Sequence, residues 1–118
     1  MGSREIYQVV AEHQASFPYS VELKVGEKVT TGNKIKKKGW VWCLSKNGKG
    51  LWIPAKYLER RDHVGIMLID YDSRELSVAA GERLTFIKEE RGWVWCTNQT
   101  GQRGWIPSFK VRKLHPTS

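Results

Sequence analysis

A pentapeptide occurs twice in this chain, and no other feature restricts the possible folds as strongly. The letters GWVWC stand at 39–43 and again at 92–96, an offset of 53 residues. The tripeptide WIP follows at 52–54 and 105–107 with the same offset. Identical segments with two tryptophans each do not arise from composition. The sequence therefore indicates two similar units of roughly 55–60 residues each instead of one larger domain.

Short apolar runs separated by turn signals fill both copies, and no stretch has helical periodicity. The predicted strands of the first copy are 5–11, 27–33, 40–45 and 50–53, and those of the second are 66–71, 83–88, 93–98 and 103–106. Between the last two strands of the first copy, Asn47 and Gly48 form a pair that is typical of tight hairpins. We expect an all-β chain of two consecutive small five-stranded barrels, because closure limits exposed sheet edges.

The domain boundaries follow from the repeat. We expect a first barrel at 1–60, a short linker at 61–63 and a second barrel at 64–118. A flexible linker is usually longer and richer in Gly or Ser. The two barrels are therefore expected to pack against each other within a monomer.

The order ELxxxxGE, GWxW, a Gly-rich hairpin and WIP resembles that of Src-homology-3 (SH3) domains across nearly the whole chain. The opening ALYDY stretch of that family is matched by residues 9–13 and by residues 67–71. Within the family, the GWxWC form is similar to small bacterial variants. The resemblance implies SH3-like barrels with a shallow aromatic groove for Pro-rich peptides, which enter it in the extended polyproline II conformation.

The resemblance also implies which residues line the two grooves. They are His13, Phe17, Tyr19, Trp40, Trp52, Pro54 and Tyr57 in the first copy, and Tyr71, Asp72, Glu75, Trp93, Trp105 and Pro107 in the second. The first copy departs from the family at Ala11 and His13, where tyrosines are usual. The second copy departs at Ile69 and at Lys110, which stands in place of a tyrosine. The first copy thus has the better aromatic end, the second has the better acids, and neither groove is complete.

The tryptophans of the repeat divide into two expected roles. Trp40 and Trp93 stand at the groove position and are expected to be exposed for binding. Trp42 and Trp95 are expected to pack on the core or between the barrels. An exposed indole without a ligand favours association, which makes retention of two of them an argument for binding.

The residues that could support chemistry are few. Cys43 and Cys96 match a position where the family carries a small buried residue, so we expect two buried, reduced thiols. No histidine has ligand spacing to either thiol, and no nucleophile–base arrangement or phosphate-binding Gly loop is present. We expect no metal, no cofactor, no catalytic residue and no enzymatic activity.

The net charge of +8 leaves a second interpretation open. A basic run, Lys34 with Lys36, Lys37 and Lys38, lies next to Trp40, and small barrels can bind nucleic acid through basic and aromatic side chains. A third possibility is cell-wall glycan or peptide. Peptide binding is the leading hypothesis, and its weak salt dependence would distinguish it from nucleic-acid binding. Without a membrane-length apolar run or signal peptide, the expected location is the cytoplasm and no membrane partner is expected.

Overall fold

The computed structural model describes residues 5–32 and 39–114, and throughout that part of the chain the regular elements are β-strands and two single-turn 3₁₀ helices. The strands are β1 (Ile6–Val9), β2 (Glu22–Leu23), β3 (Lys28–Thr31), β4 (Trp40–Leu44), β5 (Gly50–Pro54), β6 (Leu58–Arg61), β7 (Val64–Met67), β8 (Tyr71–Asp72), β9 (Arg83–Glu90), β10 (Trp93–Thr97), β11 (Arg103–Pro107) and β12 (Val111–Leu114). The 3₁₀ helices are Ala55–Tyr57 and Ser108–Lys110. The all-β prediction is confirmed, and the architecture is consistent with SH3-like barrels.

The two strands around each repeated motif form antiparallel hairpins where the sequence predicts them. β4 pairs with β5 and β10 pairs with β11 over five residue pairs each. The predicted turn at Asn47 and Gly48 is present, with Gly48 at φ +82 and its N–H bonded to the carbonyl of Ser45 at 2.8 Å. Glycine adopts that backbone conformation without steric cost.

The chain divides into two compact units, but not at the predicted boundaries. One, the continuous unit, is Tyr19–Ser73. The other, the split unit, joins Met1–Pro18 to Arg74–Ser118. The predicted barrels at 1–60 and 64–118 differ from this division, because the first strand of each copy lies in the sheet formed by the other copy.

The split unit has one five-stranded antiparallel sheet in the order β11-β10-β9-β1-β12. β1 is an interior strand of this sheet, since Tyr7 pairs with Leu84 of β9 on one side and with Lys113 of β12 on the other. Its buried core is built from Val9, Leu76, Val78, Leu84, Val94, Cys96, Ile106 and Val111. Val9, only 2% exposed, carries the N-terminal segment into this core.

The continuous unit repeats this arrangement with the order β5-β4-β3-β7-β6, and β2 and β8 form a separate two-stranded ribbon. β7 is the interior strand next to the edge strand β6, with Gly65 paired to Val29 of β3 and to Arg60 of β6. Met67 at the end of β7 is 1% exposed. Burial of this side chain fixes β7 in the continuous unit as firmly as Val9 fixes β1 in the split unit.

β1 and β7 occupy equivalent places, as their backbone hydrogen bonds show. The N–H of Val9 is bonded to the carbonyl of Glu82 at 2.9 Å, and the N–H of Met67 to that of Glu27 at 2.9 Å. One residue later, the amides 10 and 68 are bonded to the carbonyls 110 and 57, at 2.7 and 2.8 Å. The two strands are interchangeable in backbone terms, which explains why sequence order alone predicted the wrong partner for each.

The predicted linker 61–63 is a tight hairpin turn inside the continuous unit. Arg61 pairs with Val64, so β6 and β7 are joined through Asp62 and His63 alone. Asp62 has a positive φ of 55°, which Asp tolerates better than most side chains. The carbonyl of His63 accepts the N–H of Thr31 at 2.8 Å.

Candidate functional site

Both units build the same backbone frame around the repeated motifs. Trp40 is paired with Pro54 across β4 and β5, and Trp93 with Pro107 across β10 and β11. The two prolines have nearly identical torsions, φ −56 with ψ 131 and φ −56 with ψ 133, and each precedes a 3₁₀ helix. The residue after each proline donates its N–H to the glycine before each tryptophan, at 2.9 and 2.8 Å. The units therefore differ in side chains on a common frame.

In the continuous unit this frame carries an aromatic cluster of Trp40, Pro54, Tyr57 and Tyr71. The 3₁₀ helix after Pro54 brings Tyr57 to Tyr71, with ring centroids 5.7 Å apart and an interplanar angle of 65°, an edge-to-face contact. The hydroxyl of Tyr71 donates to the carbonyl of Trp52 at 3.1 Å. Trp40, Tyr57 and Tyr71 are only 7%, 6% and 7% exposed.

Two carboxylates face each other beside the aromatic cluster. Glu22 of β2 is directly paired with Asp72 of β8. The Glu22 side chain is 68% exposed and has a distant ion pair with Lys24, at 3.9 Å. The carboxylate of Glu22 is therefore accessible to a cation on a ligand.

In the split unit the frame carries a polar cluster of His13, Glu75, Trp93 and Lys110. The His13 ring meets Trp93 edge-on with centroids 5.8 Å apart. Its Nε2 lies 2.8 Å from Oε1 of Glu75, and its Nδ1 lies 3.2 Å from Nζ of Lys110. Ser16 also donates its backbone N–H and its hydroxyl to the same Glu75 oxygen, at 3.1 and 2.9 Å.

This geometry sets the tautomer of His13. An ammonium group can only donate, so Nδ1 accepts a hydrogen bond from Lys110 and Nε2–H donates one to Glu75. The imidazole is then neutral and separates the lysine charge from the glutamate charge. His13 is 7% exposed and the Glu75 side chain 12%. Oε1 of Glu75 accepts three hydrogen bonds, one from His13 and two from Ser16.

The structure redistributes the predicted groove residues between the units. Tyr19, Trp40, Trp52, Pro54, Tyr57, Tyr71 and Asp72 lie in the continuous unit, and His13, Phe17, Glu75, Trp93, Trp105 and Pro107 lie in the split unit. His13 and Phe17 were expected beside Trp40, and that grouping is wrong for the same reason as the boundaries. Glu22 and Ser16 were not predicted. Comparison of the two copies could not predict these residues, because the partner of each lies in the other copy: Asp72 for Glu22 and Glu75 for Ser16.

Exposure separates the two groove tryptophans. Trp40 is buried, so the expectation of an exposed indole there is wrong, and its place in a peptide groove stays a prediction. Trp93 is half-buried. Phe109, whose ring centroid lies 5.9 Å from Nζ of Lys110, is 78% exposed, which leaves an accessible apolar surface in the split unit.

The remaining tryptophans pair across the hairpins. Trp42 contacts Trp52 with ring centroids 5.2 Å apart, and Trp95 contacts Trp105 at 5.1 Å. Trp42 also covers the backbone at Gly50, where an added Cβ would overlap the indole. The packing role expected of Trp42 and Trp95 agrees with these contacts. Trp105, which the family resemblance implies is a groove residue, is 3% exposed and offers almost no surface to a ligand.

The remaining expectations concern the two thiols, metal ligands, a membrane span and the basic run. Cys43 and Cys96 are free and fully buried, and desolvation raises the pKa of each thiol to about 12. No group of three metal-ligating side chains occurs among residues 5–32 and 39–114. In the same ranges no helix is long and apolar enough to span a bilayer. The basic run Lys34–Lys38 lies outside the described residues.

Comparison with known proteins supports the fold. The family model described as the SH3 domain matches residues 70–108. Over 92% of its length the chain is 27% identical to SH3 and PX domain-containing protein 2B of Mus musculus and 28% identical to the protein of the same name of Homo sapiens. The chain spans 14% of the length of each of these relatives. No solved structure matches the chain at the same significance.

SH3 domains are protein-interaction modules in general, and residues 70–108 are similar to that family. The matched segment begins with Asp70 and Tyr71 of the continuous unit and continues through β9, β10 and β11 of the split unit. The matched segment therefore includes residues of both units. The tandem arrangement of two family members and the likeness to bacterial variants stay predictions.

Proposed function

We propose that the chain is a non-catalytic, cytoplasmic interaction module whose continuous unit binds an extended, Pro-rich peptide at the aromatic cluster. The observation that carries this proposal is the contact between Tyr57 and Tyr71. It joins the aromatic end of the first copy to a tyrosine of the second. Of the aromatic positions that the family uses, only the one at Ile69 lacks a ring in this unit.

The acids beside the cluster extend the peptide's chemistry. Glu22 lies directly opposite Asp72 on the paired strand. The ion pair that Glu22 forms with Lys24 is long, at 3.9 Å. A Lys or Arg flanking the Pro-rich segment would form a closer ion pair with Glu22 than Lys24 does. The proposed ligand is therefore a Pro-rich segment with one basic residue.

The burial of the three rings has a consequence for affinity. A ligand that stacks on Trp40, Tyr57 and Tyr71 must increase their exposure before it can contact their faces, so binding is coupled to a local rearrangement. If only a fraction of the molecules has a site open for binding, the apparent dissociation constant is the intrinsic one divided by that fraction. We expect an apparent affinity weaker than a fully exposed groove of the same composition would have.

The test is a titration of the ¹⁵N-labelled full chain with a synthetic Pro-rich peptide containing one Arg, followed by NMR. The amides of Tyr57 and Tyr71 and the indole N–H of Trp40 should shift. Glu22→Gln should weaken binding by up to about fivefold, the range of an exposed ion pair. Asp62→Asn, in the β6–β7 turn of the same unit, is the matched control and should bind as the parent does. Shifts confined to other residues, or an equal effect of both variants, would contradict the proposal.

A further inference from the structure

The polar cluster of the split unit differs in charge from the aromatic cluster, and this difference indicates a second ligand class. From it we infer that the split unit binds an extended peptide carrying a carboxylate side chain, with the carboxylate on Lys110 and apolar residues on Trp93 and Phe109. The inference rests on the extended-peptide mode proposed above and applies it to a different surface with the opposite charge preference.

The first step is the equivalence of two contacts. Lys110 stands three residues after Pro107, as Tyr57 stands three after Pro54. In the continuous unit Tyr57 meets a ring, and in the split unit Lys110 meets His13 at 3.2 Å. At equivalent positions of the two units, the contact between the rings of Tyr57 and Tyr71 is thus replaced by a hydrogen bond between Lys110 and the His13 imidazole.

The second step concerns the acid that could neutralise this ammonium. Glu75 shares the partner His13 with Lys110, but its Oε1 already accepts from His13 and twice from Ser16. The neutral His13 ring lies between the two charges. Among residues 5–32 and 39–114, Lys110 has no ion pair to a carboxylate, and the cation remains available to a ligand.

The third step concerns the surface around the cation. Nζ of Lys110 lies 5.9 Å from the ring centroid of Phe109, which is 78% exposed, and its imidazole partner contacts half-buried Trp93. Apolar rings beside a charge lower the local dielectric and strengthen its interaction with an opposite charge. The accessible surface therefore suits a carboxylate flanked by Pro or other apolar residues, and it repels a Lys or Arg.

The experiment uses two blocked peptides of about eight residues, the length class of extended-peptide ligands. They consist of Pro and Ala and differ only in one central Glu or Lys. Each is titrated into the ¹⁵N-labelled full chain. The Glu peptide should shift the Trp93 indole and the amides of His13 and Lys110, and bind there about tenfold more tightly than the Lys peptide. The preference should decrease with added salt.

Three variants isolate the charge. Lys110→Gln should remove the preference for Glu, and Lys110→Arg should retain it. Lys113→Gln makes the same charge change on β12, where the side chain is 46% exposed, and should behave as the parent does. A well-dispersed amide spectrum identifies folded variants, and the salt titration of the parent chain provides a test that needs no substitution.

Two results would overturn the inference. One is equal binding of the Glu and Lys peptides at Trp93, or no shift there with either. The other is a shift at Trp93 with a short oligothymidylate and none with the Glu peptide, which would indicate nucleic acid as the partner. Failure of the proposed function is distinguishable, because its reporters are Tyr57 and Tyr71 of the continuous unit.

Discussion

Two side chains 58 residues apart in sequence, His13 and Tyr71, determine what each unit presents to a ligand. They occupy the same place in the frame, but His13 lies near Lys110 and Tyr71 contacts Tyr57. Sequence reasoning assigned each to the copy in which it is written, and so judged both grooves incomplete. Motif position identified the two residues as equivalent positions of the repeat. It could not predict the neighbour, because the neighbour depends on which unit the strand joins.

The single thiol in each unit is a residue-scale property that the sequence predicted well. Cys43 belongs to the continuous unit and Cys96 to the split unit, and both are 0% exposed. A small residue at that strand position always points into the core, whichever partner the neighbouring strand has. Local alternation sufficed here because no exchange of strands changes it.

We expect neither thiol to react with an alkylating reagent in the native chain at pH 8. Burial raises the pKa of both to about 12, so each is protonated and inaccessible until its unit opens. Mass spectrometry after timed labelling should show slow modification, accelerated together with unfolding by denaturant. Rapid labelling of either thiol under native conditions would contradict the buried assignment. The two sites then report the opening of the two units separately.

At the scale of elements, strand positions were predictable and strand partners were not. β1 and β7 are both short apolar strands that carry one deeply buried side chain into a core, Val9 in one case and Met67 in the other. Periodicity specifies an extended segment with one buried face. The choice between two slots with the same backbone hydrogen bonds depends on side-chain contacts such as His13 to Glu75, which lie 62 residues apart.

One glycine permits an approach of two segments in the split unit. Gly104 of β11 lies against the backbone of Glu75 and Leu76, and an added Cβ would meet the Leu76 nitrogen at 2.8 Å. The neighbouring Trp105 exchanges hydrogen bonds with this segment, donating to the carbonyl of Arg74 at 2.9 Å and accepting from Leu76 at 3.2 Å. This close contact positions Glu75 under His13.

Gly104→Ala should therefore destabilise the split unit by about 1–3 kcal/mol, the usual cost of overpacking against a backbone that must move. The labelling rate of Cys96 should rise while that of Cys43 stays unchanged. Arg103→Ala, at an exposed position of the same strand, is the matched control. If both variants label Cys96 at the parent rate, β11 does not depend on this close approach.

At the scale of the whole chain, the two units differ in how they depend on sequence continuity. Every strand of the continuous unit lies within Tyr19–Ser73, so the pairing of its described strands uses one unbroken stretch of sequence. The split unit requires two segments separated by those 55 residues. Boundaries at 60 and 64 would instead cut the continuous unit inside its β6–β7 hairpin and leave its sheet without β7.

Deletion of residues 1–18 distinguishes the observed division from the one that sequence order predicts. The deletion removes β1 from between β9 and β12, together with Val9 and His13, so we expect the split unit to unfold and the continuous unit to persist. Cys96 should then be alkylated quickly while Cys43 stays protected, and amide signals of 74–114 should lose their dispersion. A chain that lacks only residues 1–4 keeps β1 and should match the parent. The opposite pattern, with Cys43 reactive and Cys96 protected, is what in-order barrels would give, because the deletion would then remove the first strand of the barrel that contains Cys43.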